Sequence, residues 1–320
     1  MSTMLFFLIP LGLLAVIWPL CFVGCGYPTF TFDSYSDDVL GEQSLLAYWP
    51  LNDLVPNQTI TTPGQDGKAT DLSKKGHDGT YTIPPAYPSG TQMVALTLAR
   101  GTPIVPGDTS SGSNPLAASA DFEGGYVSIP WSTQDWPFLN EFTLEAWIQP
   151  KWKGAGSIWT VFSAATDTAG FALYVDGTMN GTNQWGLTIG DGMALTTLGP
   201  TNVPVVPASA MAAPLVYVAL TCKNGVFNLW VNPQSQGDTS NPPPPPANWT
   251  SPTTNYAAAD PTQLLHAFIG AGANNQALRM TDGGTGSPLG PFQGLIQSVA
   301  LYQTALDPGT ILSHFMSGAG

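Results

Sequence analysis

The stretch that most constrains this fold is residues 120–150, which contains two runs of alternating side chains. In the longer run, residues 142–148, apolar side chains recur at every second position, and Pro150 closes the run. A shorter run at 126–129 ends at Pro130. A period of two is typical of β-strands. Because two such strands need a second sheet to cover their apolar face, the stretch predicts a two-sheet β-sandwich.

The rest of the chain has the turn-rich pattern of the same sandwich. The 35 Gly and 30 Pro residues indicate many turns and few helices. Further strands are predicted at 44–52, 159–164, 171–175, 184–189, 215–222, 226–231, 267–270 and 294–302. Asn224 and Gly225 between two of them are a strong hairpin signal, and Asp307 and Pro308 begin a short helix. With no repeat or internal boundary, one domain is predicted over residues 44–318.

The charge of the chain excludes one class of partner. Eight Lys and Arg side chains against 21 Asp and Glu give a net charge of −13, and only 9% of residues are charged. A chain without a basic surface cannot displace counterions from phosphates, which argues against nucleic acid and anionic lipid. Such a composition is typical of the cell exterior. The three cysteines, at 21, 25 and 222, form neither a disulfide framework nor a metal-ligand spacing.

The chain begins with an uncharged apolar run at residues 4–23. Twenty helical residues span about 30 Å, the thickness of a bilayer core. A cleaved signal peptide is the alternative, but its usual basic start is missing, since the first Lys or Arg is Lys68. A lipoprotein-like processing box ends at Cys25, the lipid-attachment residue if the segment is processed. We favour a retained transmembrane anchor over residues 1–27 and a spacer over residues 28–43.

The charges next to the anchor predict which side of the membrane carries the domain. Asp33, Asp37 and Asp38 follow the apolar run, and no basic cluster does. Because basic residues flank membrane segments on the cytoplasmic side, the domain is predicted on the periplasmic or extracellular side.

Seven blocks in order resemble the laminin G-like, concanavalin A-like jelly roll of the lectin/glucanase group, over about residues 44–318. These blocks are LAYWPLND, ATDLSKKGHDGTYT, ADFEGGYVSIPWS, FTLEAWIQP, YVALTCKNGVFNLWVN, FIGAGANN and GLIQSVALYQTALDPGTILSHF. The resemblance implies two stacked antiparallel sheets in a secreted or surface-anchored protein. Many such domains bind carbohydrate or protein partners, often with calcium, and fold membership alone does not fix the function.

The same architecture hosts glucan hydrolases, so the acidic residues decide whether the chain is an enzyme. Retaining hydrolysis needs two carboxylates about 5–5.5 Å apart, and the resemblance implies that they share one face of a strand. The best candidates, Glu141 and Glu145, are four residues apart, and strands 215–222 and 294–302 contain no acid. We therefore predict that the domain is not an enzyme. The histidines are more consistent with structural roles; they are His77, His266 and His314.

No cofactor is predicted, and calcium is the one candidate that the acidic loops leave open. Calcium takes six to eight oxygen ligands, and Asp71 and Asp78 lie in one polar loop. Against this, relatives usually carry an acid at or beside Gln297 and Ser298. Turn formation is the favoured role of these acids, because Asp78 precedes a glycine.

The tryptophans supply the candidate ligand-binding residues. Six tryptophans are predicted on or near loops, at positions 131, 136, 152, 159, 185 and 249. The candidate ligand-binding platforms among them are Trp131, Trp136, Trp152 and Trp185. Exposed aromatic side chains bind sugars and also mark protein interfaces, so the sequence leaves both uses open.

Two functional hypotheses follow. The first is a non-enzymatic, membrane-anchored accessory subunit of a larger membrane assembly, for example a photosynthetic or respiratory complex. Its partners are other subunits, bound through the N-terminal helix and the loop aromatics. Pro10 and Pro19 favour it, because they leave carbonyls for neighbouring helices to satisfy, and the Pro-rich arm at 242–246 suits a stationary interface. The alternative is a cell-surface or periplasmic carbohydrate-binding or adhesion module, for which calcium is the candidate metal ion.

Overall fold

A computed structural model of the protein describes residues 34–62, 67–83, 97–109, 118–130, 140–151, 158–166, 168–176, 183–198, 204–206, 215–232, 249–258, 266–272 and 290–319. The predicted anchor over residues 1–27 and the lipid-attachment residue Cys25 lie outside these ranges. Within them, no helix is both long enough and apolar enough to cross a membrane.

The described strands pair antiparallel, as the sequence predicts for a sandwich. In chain order they are β1 (Leu45–Trp49), β2 (Thr59–Ile60), β3 (Gly67–Ala69), β4 (Gly79–Thr82), β5 (Thr97–Gly101), β6 (Ser119–Glu123), β7 (Tyr126–Pro130), β8 (Glu141–Pro150), β9 (Ile158–Ala165), β10 (Gly170–Asp176), β11 (Asn183–Gly190), β12 (Leu195–Leu198), β13 (Pro204–Val206), β14 (Val216–Lys223), β15 (Val226–Val231), β16 (Trp249–Thr250), β17 (His266–Ile269) and β18 (Gln293–Tyr302). The described helices are α1 (Tyr35–Gly41), α2 (Pro106–Thr109) and α3 (Pro308–Ala319).

These strands form two sheets that enclose the main hydrophobic core. Sheet 1 has the order β16-β15-β14-β8-β18-β6-β5-β2, with β1 paired to β18. Sheet 2 has the order β12-β11-β10-β9-β17-β7-β4-β3, with β13 paired to β11. Apolar side chains from both sheets pack in one buried cluster. The predicted all-β, two-sheet antiparallel sandwich is confirmed.

Strand β8 lies in the middle of sheet 1, between β14 and β18, and both of its faces are buried. On the inner face, Phe142 stacks on Phe171 of sheet 2, with ring centroids 4.6 Å apart. Burying an aromatic side chain of this size contributes about 1.5–3 kcal/mol. On the outer face lie Thr143, Glu145 and Trp147, all buried. The alternation predicted for this strand is confirmed, and its outer face needs a cover beyond the two sheets.

Helix α1 supplies part of that cover, and it replaces half of the predicted spacer. The sequence predicts a spacer over residues 28–43, whereas Tyr35 and Val39 on α1 are fully buried against sheet 1. The helix starts with a capping box in which Ser34 accepts from the backbone of Asp37. An apolar pair spaced i and i+4 then faces the sheet. The capping box and the apolar pair are both short, so the composition of residues 28–43 does not predict a helix there.

Helix α3 supplies the rest of the cover, and its predicted start is confirmed. The Asp307 carboxylate accepts from the backbone amides of Gly309 and Thr310, at 2.8 and 3.2 Å. At the other end of the helix, Gly318 lies against the Trp147 indole, where a Cβ atom would come within 2.3 Å of the ring. A glycine is therefore required for the helix to lie this close to the sheet.

Candidate functional site

The structure tests only one of the four tryptophans predicted to bind ligand. Trp131, Trp136 and Trp152 lie outside the described residues. Trp185 is on β11, and its side chain is fully buried in the main core. The prediction of an exposed platform at Trp185 is wrong. The alternation of β11 points this residue inward, as part of the strand that the sequence already predicts.

The loop that carries Asp71 and Asp78 is organised by its own carboxylates. Asp71 Oδ1 accepts from the amides of Tyr48 and Ser73, each at 2.9 Å. Asp71 Oδ2 accepts from the Ser73 hydroxyl at 2.8 Å and from the His77 amide at 3.1 Å. The Asp71 amide in turn donates to Asp78 Oδ1 at 2.9 Å. The two acids predicted as calcium ligands are therefore close together and joined by a turn.

The other Asp78 oxygen pairs with Lys68 Nζ at 2.8 Å. Although partial burial pushes the pKa of Asp78 upward, hydrogen bonds from Lys68 and from the Asp71 backbone hold it below its usual value. Among the described residues, no group of three or more His, Cys, Asp or Glu side chains can hold a metal ion. A calcium ion here stays a prediction, and it requires these carboxylates to give up bonds that they already make.

Among the described residues, a buried polar cluster lies on the outer face of sheet 1, around Glu145. The Glu145 carboxylate is closed to solvent. It accepts hydrogen bonds from the hydroxyls of Tyr217 at 2.7 Å, Tyr302 at 2.9 Å and Tyr35 at 3.4 Å. His314 Nδ1 of α3 lies 3.0 Å from its Oε2. The carboxylate thus joins α1, α3 and three strands of sheet 1 at one point.

The electrostatics of this cluster fit a buried ion pair. Burial and the nearby Glu145 carboxylate raise the pKa of Tyr35, Tyr217 and Tyr302 well above the usual value, so the phenols remain hydrogen-bond donors. Burial alone lowers the pKa of His314. The charge and hydrogen bond of Glu145, together with the charge of Glu42, outweigh that effect and raise it.

This geometry does not place Glu145 in a hydrolytic pair. Glu141 is four residues away on β8, which corresponds to about 13 Å along a strand, whereas retaining hydrolysis needs about 5–5.5 Å. Glu141 also pairs with Lys223 Nζ at 3.1 Å. With α1 and α3 over it, the Glu145 carboxylate connects these helices to sheet 1.

A second carboxylate pair, which the sequence analysis does not single out, lies on β6. Asp121 and Glu123 are two residues apart and share one face of the strand. Lys151 Nζ lies 2.6 Å from Asp121 and 3.7 Å from Glu123. The ammonium group occupies the place between the carboxylates that a glycosidic bond would need. This pair is a surface ion-pair cluster.

The outer face of sheet 2 presents a different kind of chemistry. Core residues alternate with outward ones on β4, β7 and β17; Val127, Ile129, Ala267 and Ile269 are inward and buried. The outward side chains form what we call the sheet-2 patch, which consists of Thr80, Thr82, Tyr126, Ser128, His266 and Phe268. Thr80 and His266 are exposed, and the other four are half-buried.

Two rings and several polar groups meet in the sheet-2 patch. The Tyr126 and Phe268 rings are edge-to-face, with centroids 5.6 Å apart. Ser128 Oγ lies 3.0 Å from His266 Nδ1, and Thr80 pairs with Ser128 in register. Burial lowers the pKa of His266, so at neutral pH its imidazole is uncharged. The patch therefore combines apolar ring surface with hydroxyl and imidazole groups, the combination that orients small polar ligands.

The sequence does not reveal this patch, although its alternation at 126–129 predicts the strand that carries Tyr126 and Ser128. Its partner residues His266 and Phe268 are about 140 positions away, and only the sheet register brings them together. Alternation on each strand gives the outward residues, but it does not say which strands are neighbours.

Several solved structures are similar in fold at low identity. Domain 4 of AbnA, a GH43 extracellular arabinanase from Geobacillus stearothermophilus solved with arabinotriose, is 15% identical; the match covers 85% of this chain and 98% of that domain, with a TM-score of 0.48. The binding domain of botulinum neurotoxin DC, solved with SialylT, is 10% identical, with coverages of 86% and 52% and a TM-score of 0.48. Trypanosoma rangeli sialidase is 16% identical, with coverages of 87% and 34% and a TM-score of 0.45. The chain thus spans about half of the neurotoxin domain and a third of the sialidase.

Family membership comes from the sequence itself. No curated protein sequence matches the chain. A family model described as the concanavalin A-like lectin/glucanases superfamily matches residues 121–312, which run from β6 into α3. This range is more than half of the chain and contains most strands of both sheets, in agreement with the resemblance seen in the sequence. The chain therefore belongs to the concanavalin A-like lectin/glucanase superfamily.

Proposed function

We propose that this protein is a non-enzymatic carbohydrate-binding module and that the sheet-2 patch binds the sugar. The observation that carries the proposal is the pairing of two aromatic rings with hydroxyl and imidazole groups on one outward face. Membership in a superfamily of lectins and glucanases supports the same class of ligand.

The chemistry of the patch suits a sugar ring. The C–H face of a pyranose packs on an aromatic ring, and its hydroxyls need hydrogen-bond donors and acceptors at fixed positions. Phe268 and Tyr126 supply the ring surface, while Ser128, Thr80 and His266 supply the polar atoms. Aromatic anchors of this kind commonly contribute about 2 kcal/mol or more to binding.

The absence of catalysis is part of the proposal, and two observations support it. Glu145 is sealed beneath α1 and α3. Lys151 stands between the carboxylates of Asp121 and Glu123. Neither arrangement leaves two carboxylates free to flank a glycosidic bond.

The predicted anchor at residues 1–27 and the periplasmic or extracellular location complete the proposal, since a surface position gives access to glycans. We prefer it to the accessory-subunit hypothesis. The features that favour a subunit, namely the apolar segment and the Pro-rich arm at 242–246, lie outside the described residues. The superfamily match favours binding to carbohydrate.

A glycan array probed with the purified full-length protein tests the proposal. We expect binding to one class of oligosaccharide and its loss when Tyr126 and Phe268 are both replaced by Ala. The matched control is Met316→Ala, which removes a side chain that is 53% exposed on α3, at the opposite sheet. Absence of any signal for the wild type, or equal signals for the wild type and the double variant, would reject the proposal.

A further inference from the structure

The sheet-2 patch continues across the sheet into a strip of small polar side chains. Phe268 of the patch pairs in register with Ser163 of β9, and Ser163 pairs with Ala172 of β10. In the next row, Thr160 of β9 pairs with Tyr174 of β10. Because neighbouring strands are about 4.8 Å apart, the strip begins one strand away from the Phe268 ring.

Two hydroxyls of this strip are buried without a partner. Thr160 and Ser163 are both 0% exposed, and neither Thr160 Oγ1 nor Ser163 Oγ makes a hydrogen bond. Buried polar side chains in folded proteins are nearly always hydrogen-bonded. An unpaired hydroxyl destabilises the fold, whereas an apolar side chain of the same shape does not. The two unpaired hydroxyls therefore destabilise the ligand-free fold, and a bound ligand would supply the hydrogen bonds that they lack.

We propose that Thr160 and Ser163 form an inner subsite that hydrogen-bonds a second sugar unit, next to a first unit on Phe268. This inference rests on the proposed function and makes the ligand an oligosaccharide of two or more units. In the strip from Phe268 to Tyr174, the described side chains carry hydroxyl or apolar groups. Burial raises the pKa of Tyr174, so this phenol is also neutral. The ligand class is accordingly a neutral oligosaccharide.

Both hydroxyls are closed to solvent in this structure, so the inner subsite requires the side chains around them to rearrange when the ligand binds. Side-chain rearrangement of this kind is common on binding. The outer subsite at Phe268 needs no such movement, because this side chain is only partly buried. A monosaccharide consequently uses the outer subsite alone.

The variants Thr160→Val and Ser163→Ala test the inner subsite in the full-length protein. Titration calorimetry uses the shortest oligosaccharide bound on the array and the monosaccharide from its end. We expect each variant to bind the oligosaccharide about five- to tenfold more weakly, the usual effect of losing one hydrogen bond. Affinity for the monosaccharide stays unchanged. The thermal unfolding midpoint stays unchanged or rises, because no bond within the protein is lost.

Thr143→Val is the matched control on sheet 1. Its Oγ1 donates to the Thr304 carbonyl and accepts from the Leu306 amide, both at 2.8 Å. This variant should lower the unfolding midpoint and leave both affinities unchanged.

The outcomes separate the two proposals. If the wild type binds no glycan, the proposed function fails, and the inner subsite fails with it. If the wild type binds an oligosaccharide and Phe268→Ala weakens it, but Thr160→Val and Ser163→Ala do not, only the inner subsite is wrong. A drop in midpoint equal to that of Thr143→Val would also reject it, because the hydroxyls would then be bonded within the protein.

Discussion

Replacing Glu145 by Gln is expected to destabilise the fold strongly while keeping the shape of the side chain. In the wild type, three tyrosine hydroxyls and His314 surround a carboxylate that is closed to solvent. The variant removes the charge and leaves His314, which is 2% exposed, without its buried partner. Removing one member of a buried ion pair costs about 3–5 kcal/mol. For a domain of this size, this loss lowers the melting temperature by about 10 °C.

The sign of the pH dependence follows from His314. Its pKa is raised in the folded state, so the pair stabilises the fold fully below the unfolded pKa of about 6.5. That contribution is lost as the pH rises through the higher folded pKa. The difference in unfolding free energy between the wild type and Glu145→Gln should therefore be largest near about pH 6 and smaller near about pH 9.

Urea unfolding of both proteins across this pH range measures the effect. Glu141→Gln is the control on the same strand, since the Glu141–Lys223 pair is solvent-exposed and should contribute about 0–1 kcal/mol. A Glu145→Gln variant as stable as Glu141→Gln would show that the buried pair contributes no more to stability than the exposed one. A large loss that does not change with pH would refute the role given to His314.

Two further predictions concern stability. Asp71→Asn should lower the unfolding midpoint with or without a calcium chelator. The reason is that one of the two carboxylate oxygens, which together accept four hydrogen bonds, is replaced by an NH2 donor. If a chelator lowers the wild-type midpoint as much as the substitution does, the result would instead support a calcium site. Gly318→Ala should lower the free energy of unfolding, measured in urea, by about 1–3 kcal/mol, because the new methyl group overlaps the Trp147 indole. A gain in stability would show that α3 can move away from sheet 1.

Local patterns in the sequence predicted the parts of the fold that local geometry decides. The alternation of residues 142–148 is that of β8. Asn224 and Gly225 both adopt positive φ, of 52° and 75°, in the tight turn between β14 and β15. Few residues other than asparagine and glycine accept that conformation, so the pair identifies the hairpin without any knowledge of the rest of the chain.

Long-range packing explains what the sequence analysis could not predict. Trp185 points inward on its strand. Whether the core has room for it depends on the side chains of both sheets, which the sequence of one strand does not contain. Helix α1 falls in a segment of unremarkable composition, and it becomes necessary only because the outer face of sheet 1 is apolar.

The clusters around Glu145 and in the sheet-2 patch could not be predicted either, because their residues are far apart in the sequence. The partners of Glu145 lie 72 to 169 residues further along the chain or 110 residues before it. The sheet-2 patch joins Tyr126 and Ser128 to His266 and Phe268 through strand order alone. Sequence spacing contains no signal for either arrangement, and only the registers of the sheets define them.

Sugar binding by the outward aromatic pair of sheet 2, Tyr126 and Phe268, can be measured directly. Titration calorimetry of the wild type and Phe268→Ala, each with the strongest oligosaccharide from the array, tests it most directly. We expect Phe268→Ala to bind this oligosaccharide about 30-fold more weakly than the wild type, which corresponds to about 2 kcal/mol. Equal affinity of the two proteins for that oligosaccharide would contradict it.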